Sequence, residues 1–256
     1  MPMDFILMVA ILLFGVFAGS LGAMLGLGGG VLMVIFLTLV INIPAHQAVA
    51  LSLLAVIASS SMGGSVYVKD KMTNVRLAMV LETCTVTGAI LGAYVALVLP
   101  LLFTELVLAF AILASALLML KSPRSETIII PKAEQILLSG EFFDSRKKAV
   151  IAYSPIRLKL GLLISLIAGA VSGIAGIGGG IIKVPIMHLL MKIPVKVAAA
   201  TSNFMVGVTA AASIFVYISA GYVDLYAAVP TVLGIMVGAY IGTRILVKVE
   251  SITLKR

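Results

Sequence analysis

The sequence predicts an all-α integral membrane protein, an inverted-repeat helical bundle with two glycine-broken helices, and three observations carry that prediction. Hydrophobic residues make up 62% of the 256 and charged residues only 11%, against about a quarter charged in a soluble domain. The apolar runs exceed the roughly 18 residues that mark a spanning helix, and they lack the strict alternation of a membrane β-barrel. A stretch also occurs twice, Ala18 to Ser52 and Ala168 to Ser202, with 13 identities in 35 positions at a constant offset of 150.

The apolar segments run in order from Asp4 to Ile43, His46 to Val68, Val75 to Leu99, Glu105 to Leu120, Arg157 to Met191, Val195 to Ala220 and Leu225 to Val247. The first and fifth are interrupted by glycines. A single helix over the first would be about 58 Å long, nearly twice a hydrocarbon core of about 30 Å. Each broken segment therefore enters and leaves on one face, as a re-entrant hairpin or as two full crossings. Residues 1–121 form the first repeat and 157–256 the second, which carries no counterpart of Glu105 to Leu120. The N-terminal segment has no basic n-region and holds half of the repeat, so it reads as part of the mature protein.

Between the repeats, residues 122–156 hold many of the charges and the helix breakers Pro123, Pro131 and Gly140. They read as an extramembrane linker with a short amphipathic helix at Ala133 to Leu138. The formal charge of +8 comes from segments flanking the spans, which is orientation bias and implies no nucleic-acid partner. Cys84 is the only cysteine, which excludes an internal disulfide and leaves metal or redox chemistry without ligands.

Positive loops stay on the cytoplasmic side. Those with Lys or Arg are the Lys69 to Arg76 turn, the linker, the Lys192/Lys196 turn and the tail from Arg244; those without are the turns at Pro44, Pro100 and Gly221. Equivalent turns of the two repeats have opposite character: Pro44 is uncharged where Pro194 is basic, and Lys69 is basic where Gly221 is not. The repeats are thus expected to be inverted in a cytoplasmic membrane, with the linker and C-terminus inside and the N-terminus outside.

The glycine breaks carry the chemistry. A helix that ends inside lipid leaves backbone N–H and C=O groups that need protein, a wet cavity or a ligand. Gly26, Gly28, Gly29 and Gly30, with Gly176, Gly178, Gly179 and Gly180, permit positive φ and close approach of a bound group. The helix after each triplet points its positive N-terminus at that spot, and two such ends meeting near the midplane would hold an anion. Close helix packing is the competing account of a single glycine cluster; its recurrence on both faces favours a site.

Lys183 is the one lysine or arginine of the broken segments that lies away from their ends, with Met33 as its repeat partner. A central lysine costs about 2.5–3.5 kcal/mol and calls for a partner, an anion among them, unless it snorkels to the interface. Thr201, Ser202 and Asn203, after the Pro194 turn and equivalent to Leu51, Ser52 and Leu53, offer hydroxyl and amide groups to oxyanion oxygens or to neighbouring helices. Glu82 and His188 are lone ionisable residues that fit a proton relay, a neighbouring ion pair or the interface.

The turns GLGGGVLMV and GIGGGIIKVP, each followed by a proline and an Ala-x-x-x-Ser or Ala-Thr-Ser helix start, resemble the sulfite exporter TauE/SafE family of membrane permeases. The resemblance covers nearly all of the chain outside the linker. It implies transport of sulfite, sulfonates or related sulfur-containing anions, with the glycines, Lys183, Pro185, Thr201 and Ser202 at matching positions; the first repeat has Ile35 where the second has Pro185.

The sequence thus points to a secondary-type transporter of a small anion, with substrate-binding candidates Gly28, Gly29, Gly30, Ser52, Gly178, Gly179, Gly180, Lys183, Pro185, Thr201, Ser202 and Asn203. Glu82 and His188 are the candidates for coupling. No cofactor or metal is expected, the partners are the anion and the lipid bilayer, and a homo-oligomer is compatible with the sequence. The absence of GxxxxGK[ST], HExxH and GxSxG motifs speaks against ATP drive and against an intramembrane enzyme. An anion channel, or an accessory membrane subunit without transport of its own, are the competing readings.

Overall fold

The computed structural model describes residues 5–120, 138–144 and 149–253. The first repeat comprises α1 (Phe5–Leu25), α2 (Gly30–Leu39), α3 (Ala45–Lys69), α4 (Val75–Val98) and α5 (Leu101–Leu120). Then come β1 (Gly140–Asp144) and β2 (Ala149–Tyr153), followed by α6 (Leu158–Ala175), α7 (Gly180–Leu189), α8 (Val195–Ser219) and α9 (Leu225–Thr253). Helices α1, α3, α4, α6, α8 and α9 are long and apolar enough to cross a membrane. The protein is an all-α integral membrane protein.

The broken segments resolve into a long arm and a short one. Helices α2 and α7 have 10 residues each, about 15 Å of rise and half of a hydrocarbon core. An arm of that length is too short to cross the hydrocarbon core by itself. Both arms begin at a glycine in left-handed conformation, Gly29 at φ 73° and Gly179 at φ 76°. Pro185 inside α7 leaves its length equal to that of α2, whose counterpart is Ile35.

Local signals recur at the same offset. Asn42 and Lys192 end the hairpins at φ 59° and 58°, and Pro44 and Pro194 open the next helices. Asn74 caps α4 by accepting from the Leu77 N–H at 3.0 Å, and its equivalent Asp224 accepts from the Tyr226 N–H at 2.9 Å. Deep in the bundle, the Tyr67 hydroxyl donates to Ala23 O at 2.9 Å and the Tyr217 hydroxyl to Gly173 O at 2.8 Å.

Packing crosses between the repeats. Helix α1 lies along α9 and α6 along α4, α3 packs on α8, and α3 also touches α9 while α8 touches α4. Glycines make the long seams close. A Cβ on Gly88 or Gly92 of α4 would stand 2.0 Å from Leu166 O or 2.1 Å from Ala170 O on α6. On Gly238 or Gly242 of α9 it would stand 2.1 Å from Val16 O or 2.3 Å from Ser20 O on α1. These are equivalent contacts, and backbones at such distances gain dispersion energy that no larger residue allows. Helix α5 packs on α6 and α7.

Residues 133–137 of the amphipathic helix expected in the linker lie outside the described residues. What is described there is an antiparallel hairpin that pairs Gly140 with Tyr153 and Phe142 with Ile151. Phe142, Ile151 and Tyr153 are buried in one apolar cluster with Leu77, Ala78 and Leu81 of α4, Val184 and Met187 of α7, and Val197 of α8. Asn74 Nδ2 donates to Leu138 O at 2.9 Å and to the Tyr153 hydroxyl at 3.2 Å. Burial pushes the Tyr153 phenol above its usual pKa, and the Asn74 hydrogen bond pulls it partly back. The linker hairpin is therefore docked on α4 of the first repeat and on α7 and α8 of the second. Gly140, read from sequence as a helix breaker, is instead the place where a side chain would meet the Tyr153 ring.

Candidate functional site

The two glycine tips touch. A Cβ on Gly28 would lie 3.1 Å from Val56 and 3.3 Å from Val206, and one on Gly178 meets the same two valines. A Cβ on Gly30 would stand 3.1 Å from Gly176 O, and one on Gly180 would stand 2.7 Å from Gly26 O. Each short arm thus starts against a carbonyl of the opposite tip. Two serines tie the tips together: Ser52 Oγ donates to Gly176 O at 2.7 Å, and Ser202 Oγ donates to Gly26 O at 3.2 Å. The position between the tips is filled by backbone, and the polar groups lie to one side.

That side is beside Gly179. Lys183 Nζ donates to Thr209 Oγ1 at 2.6 Å and reaches Glu82 Oε2 at 3.4 Å. Thr209 Oγ1 is also 2.5 Å from Glu82 Oε1, and Thr85 Oγ1 donates to Glu82 Oε2 at 2.9 Å. The Lys183 and Glu82 side chains are 2% and 8% exposed, so Lys183 neither snorkels to the interface nor lacks a protein partner. Ser172 Oγ is buried without a hydrogen-bond partner. A Cβ on Gly179 would stand 3.4 Å from both Ser172 Cβ and Lys183 Cε. Four helices thus bring polar atoms to the positive end of α7, where the helix dipole and the ammonium group act in the same sense.

The equivalent place at the first tip has other contents. Ser172, Lys183, Thr209, Glu82 and Thr85 correspond at the offset of 150 to Gly22, Met33, Ser59, Val232 and Ile235. Four of the five exchanges replace a polar side chain by an apolar one or by none. Met33, Val232 and Ile235 belong to one hydrophobic cluster, and Ile235 Cδ1 lies 3.1 Å from where a Cβ on Gly29 would be. The first tip is packed with hydrocarbon, and Ser59 keeps a buried hydroxyl there without a hydrogen-bond partner.

The remaining sequence candidates are not gathered at one point. Thr201 accepts from the Asn74 backbone N–H at 3.0 Å, at the start of α4. Ser202 faces the first tip, as above. Asn203 points elsewhere: its amide lies where a Cβ on Gly63 of α3 would be, and both Oδ1 and Nδ2 are buried without a partner. Successive helix positions are turned by about 100°, so three adjacent residues face three neighbours. His188 Nδ1 is 2.9 Å from Ile193 O in the loop after α7. Pro185 is buried within α7, one residue beyond Val184, which packs in the cluster under the linker hairpin.

Ser172, Thr85 and Thr209 were missed by the sequence reading, although the repeat offset would have exposed each as polar where its twin is small, apolar or a shorter alcohol. A family model described as "Sulfite exporter TauE/SafE" matches residues 11–256. The chain is also similar to two proteins of Bacillus subtilis (strain 168). One, "Probable membrane transporter protein YunE", is 29% identical over 98% of this chain and 92% of its own length. The other, "Probable membrane transporter protein YdhB", is 22% identical over 98% of this chain and 93% of its own length. No solved structure matches the chain significantly.

Proposed function

The chain belongs to the sulfite exporter TauE/SafE family of membrane transporters, and from that premise we propose that it is a secondary transporter of a small anion bound beside its second glycine tip. Sulfite, a sulfonate or a related sulfur oxyanion is the substrate class. The site is exposed in turn to the two sides of a cytoplasmic membrane, with the linker on the inner side, as the Lys and Arg content of the loops suggests.

One observation carries this reading: the exchange of polar for apolar groups is confined to one of two otherwise matching tips. A pair of glycine turns that served packing alone would have no need of a buried ion pair on one copy, since such a pair costs several kcal/mol of desolvation. An oxyanion beside Gly179 would accept from the Ser172 hydroxyl and from Lys183, the latter a charge-assisted bond, at the positive end of α7. Alternating exposure follows from the inverted halves, in which the seam open to one side in one state is the twin of the seam open to the other side in the next.

The test is binding and flux by the purified protein in proteoliposomes. Sulfite, thiosulfate, methanesulfonate and acetate form a panel, of which at least one sulfur oxyanion is expected to bind saturably and to stimulate its own exchange. Lys183→Met, which copies the first tip, should weaken binding at least tenfold, the loss of one charge-assisted contact. Conductance without saturation would make the protein a channel, and absence of any flux or binding would make it an accessory subunit; either result overturns the proposal.

A further inference from the structure

We infer that the anion crosses together with a proton, which it draws onto Glu82; this rests on the anion site at the second tip. Glu82 and Lys183 form a buried pair with no net charge. An anion placed beside Lys183 would leave two negative groups around one cation in surroundings of low dielectric, an arrangement that low-dielectric sites avoid by neutralising one of the groups. The anion brings its charge with it, so the group that changes is Glu82: the carboxylate takes up one proton as one anion arrives, and the site returns to zero net charge.

The immediate neighbours of Glu82 suit both states. Thr85 and Thr209 place hydroxyls at 2.9 Å from Oε2 and 2.5 Å from Oε1. A hydroxyl donates to a carboxylate, and by rotating its hydrogen it accepts from a carboxylic acid. Thr209 is also the acceptor for Lys183, so the lysine keeps a partner when the carboxylate no longer draws it. Lys183 is the ionisable group that pairs with Glu82. Arg76 on α4, Lys159 on α6 and Glu141 on β1 are exposed, and His188 of α7 is turned to Ile193 O. Glu82 therefore exchanges its proton beside Lys183 and the anion. At the first tip Val232 and Met33 stand in these two places, and no such exchange can occur there.

The measurement is the affinity of methanesulfonate, whose own charge does not change near neutrality, across about pH 5 to 9, with proton uptake followed by an indicator dye in weak buffer. Binding should be strongest in acid, fall about tenfold per pH unit once the carboxyl ionises in the empty protein, and take up close to one proton per anion in that range. Glu82→Gln, a fixed neutral mimic, should bind with an affinity independent of pH and take up no proton. Pairing of anion and proton is overturned if wild-type affinity is flat with pH and no proton is taken up. It is equally overturned if Glu82→Gln keeps the wild-type slope. Both results leave the anion site standing. Failure of methanesulfonate and sulfite alike to bind the wild-type protein at any pH overturns the site and this inference together. The wild-type titration decides the matter by itself if the variant does not fold.

Discussion

The first and second glycine tips share a backbone and differ in their chemistry. They have arms of equal length, left-handed glycines at equivalent places and a serine from the opposite half on each turn. Yet one turn is packed with Met33 and Ile235 while the other is lined by Lys183, Glu82, two threonines and the unpartnered Ser172. The lesson is that symmetry here belongs to the scaffold. Glycine interlock and tip geometry are kept on both sides. Charge is placed on one side only; a second buried ion pair would add its own desolvation cost.

The comparison breaks most sharply at the ion pair. Lys183→Met or Glu82→Val alone leaves a buried unpaired charge and should cost about 3–5 kcal/mol. The double variant reproduces the first tip and should recover most of that stability while binding no anion, as thermal unfolding in detergent and anion titration would show. A double variant no more stable than the singles would mean that the second tip cannot be made to resemble the first.

Next in size is the linker hairpin, which docks on α4, α7 and α8 and has no described counterpart beside α9 and α2. Tyr153→Ala removes a buried ring and its contact with Asn74, at a cost of about 3–5 kcal/mol on the scale of buried aromatic truncations. Faster proteolysis between residues 138 and 154, with the bundle still folded, is the expected readout. The seams provide a test of sameness. Gly92→Ala and Gly242→Ala force a Cβ against Ala170 O and Ser20 O, and each should cost about 1–3 kcal/mol, with the two values alike. Unequal costs would show that the scaffold is less symmetric than its backbone. Smallest are Ser52→Ala and Ser202→Ala, each about 1 kcal/mol for one cross-tip hydrogen bond, again expected to match within error in the same unfolding assay.

Most of the bundle was legible from sequence because apolar length and glycine or proline punctuation are local signals. The segments from His46 to Val68 and from Val195 to Ala220 differ from α3 and α8 by a residue or so at each end. Helix α5 starts at Leu101 instead of Glu105, since Pro100 ends the preceding turn and favours a helix directly after it. The site was legible in part. Lys183 stood out as a charge in an apolar run, whereas its partner lies 101 residues away, and no local pattern joins the two. The β-hairpin was hidden for a related reason: its strands are five residues long and acquire a buried face only by docking on α4, α7 and α8. Thr201, Ser202 and Asn203 looked like one cluster because they adjoin in the chain, and helix geometry scatters them.

The exchange of partners among the long helices has a mechanical consequence. Because α1 is zipped to α9 and α6 to α4, the stiff bodies of this protein do not coincide with the two halves of its chain. One body joins the first hairpin to the final long helix, the other joins the second hairpin to α4, and α3 against α8 is the axle between them. The covalent connection from the first repeat to the second, from α5 to α6, thus leaves and re-enters the same leaf, since α5 packs on α6 and α7 and the linker hairpin docks on α4 and α7. Any rocking about that axle must be taken up in the turns at the two ends of α3 and α8.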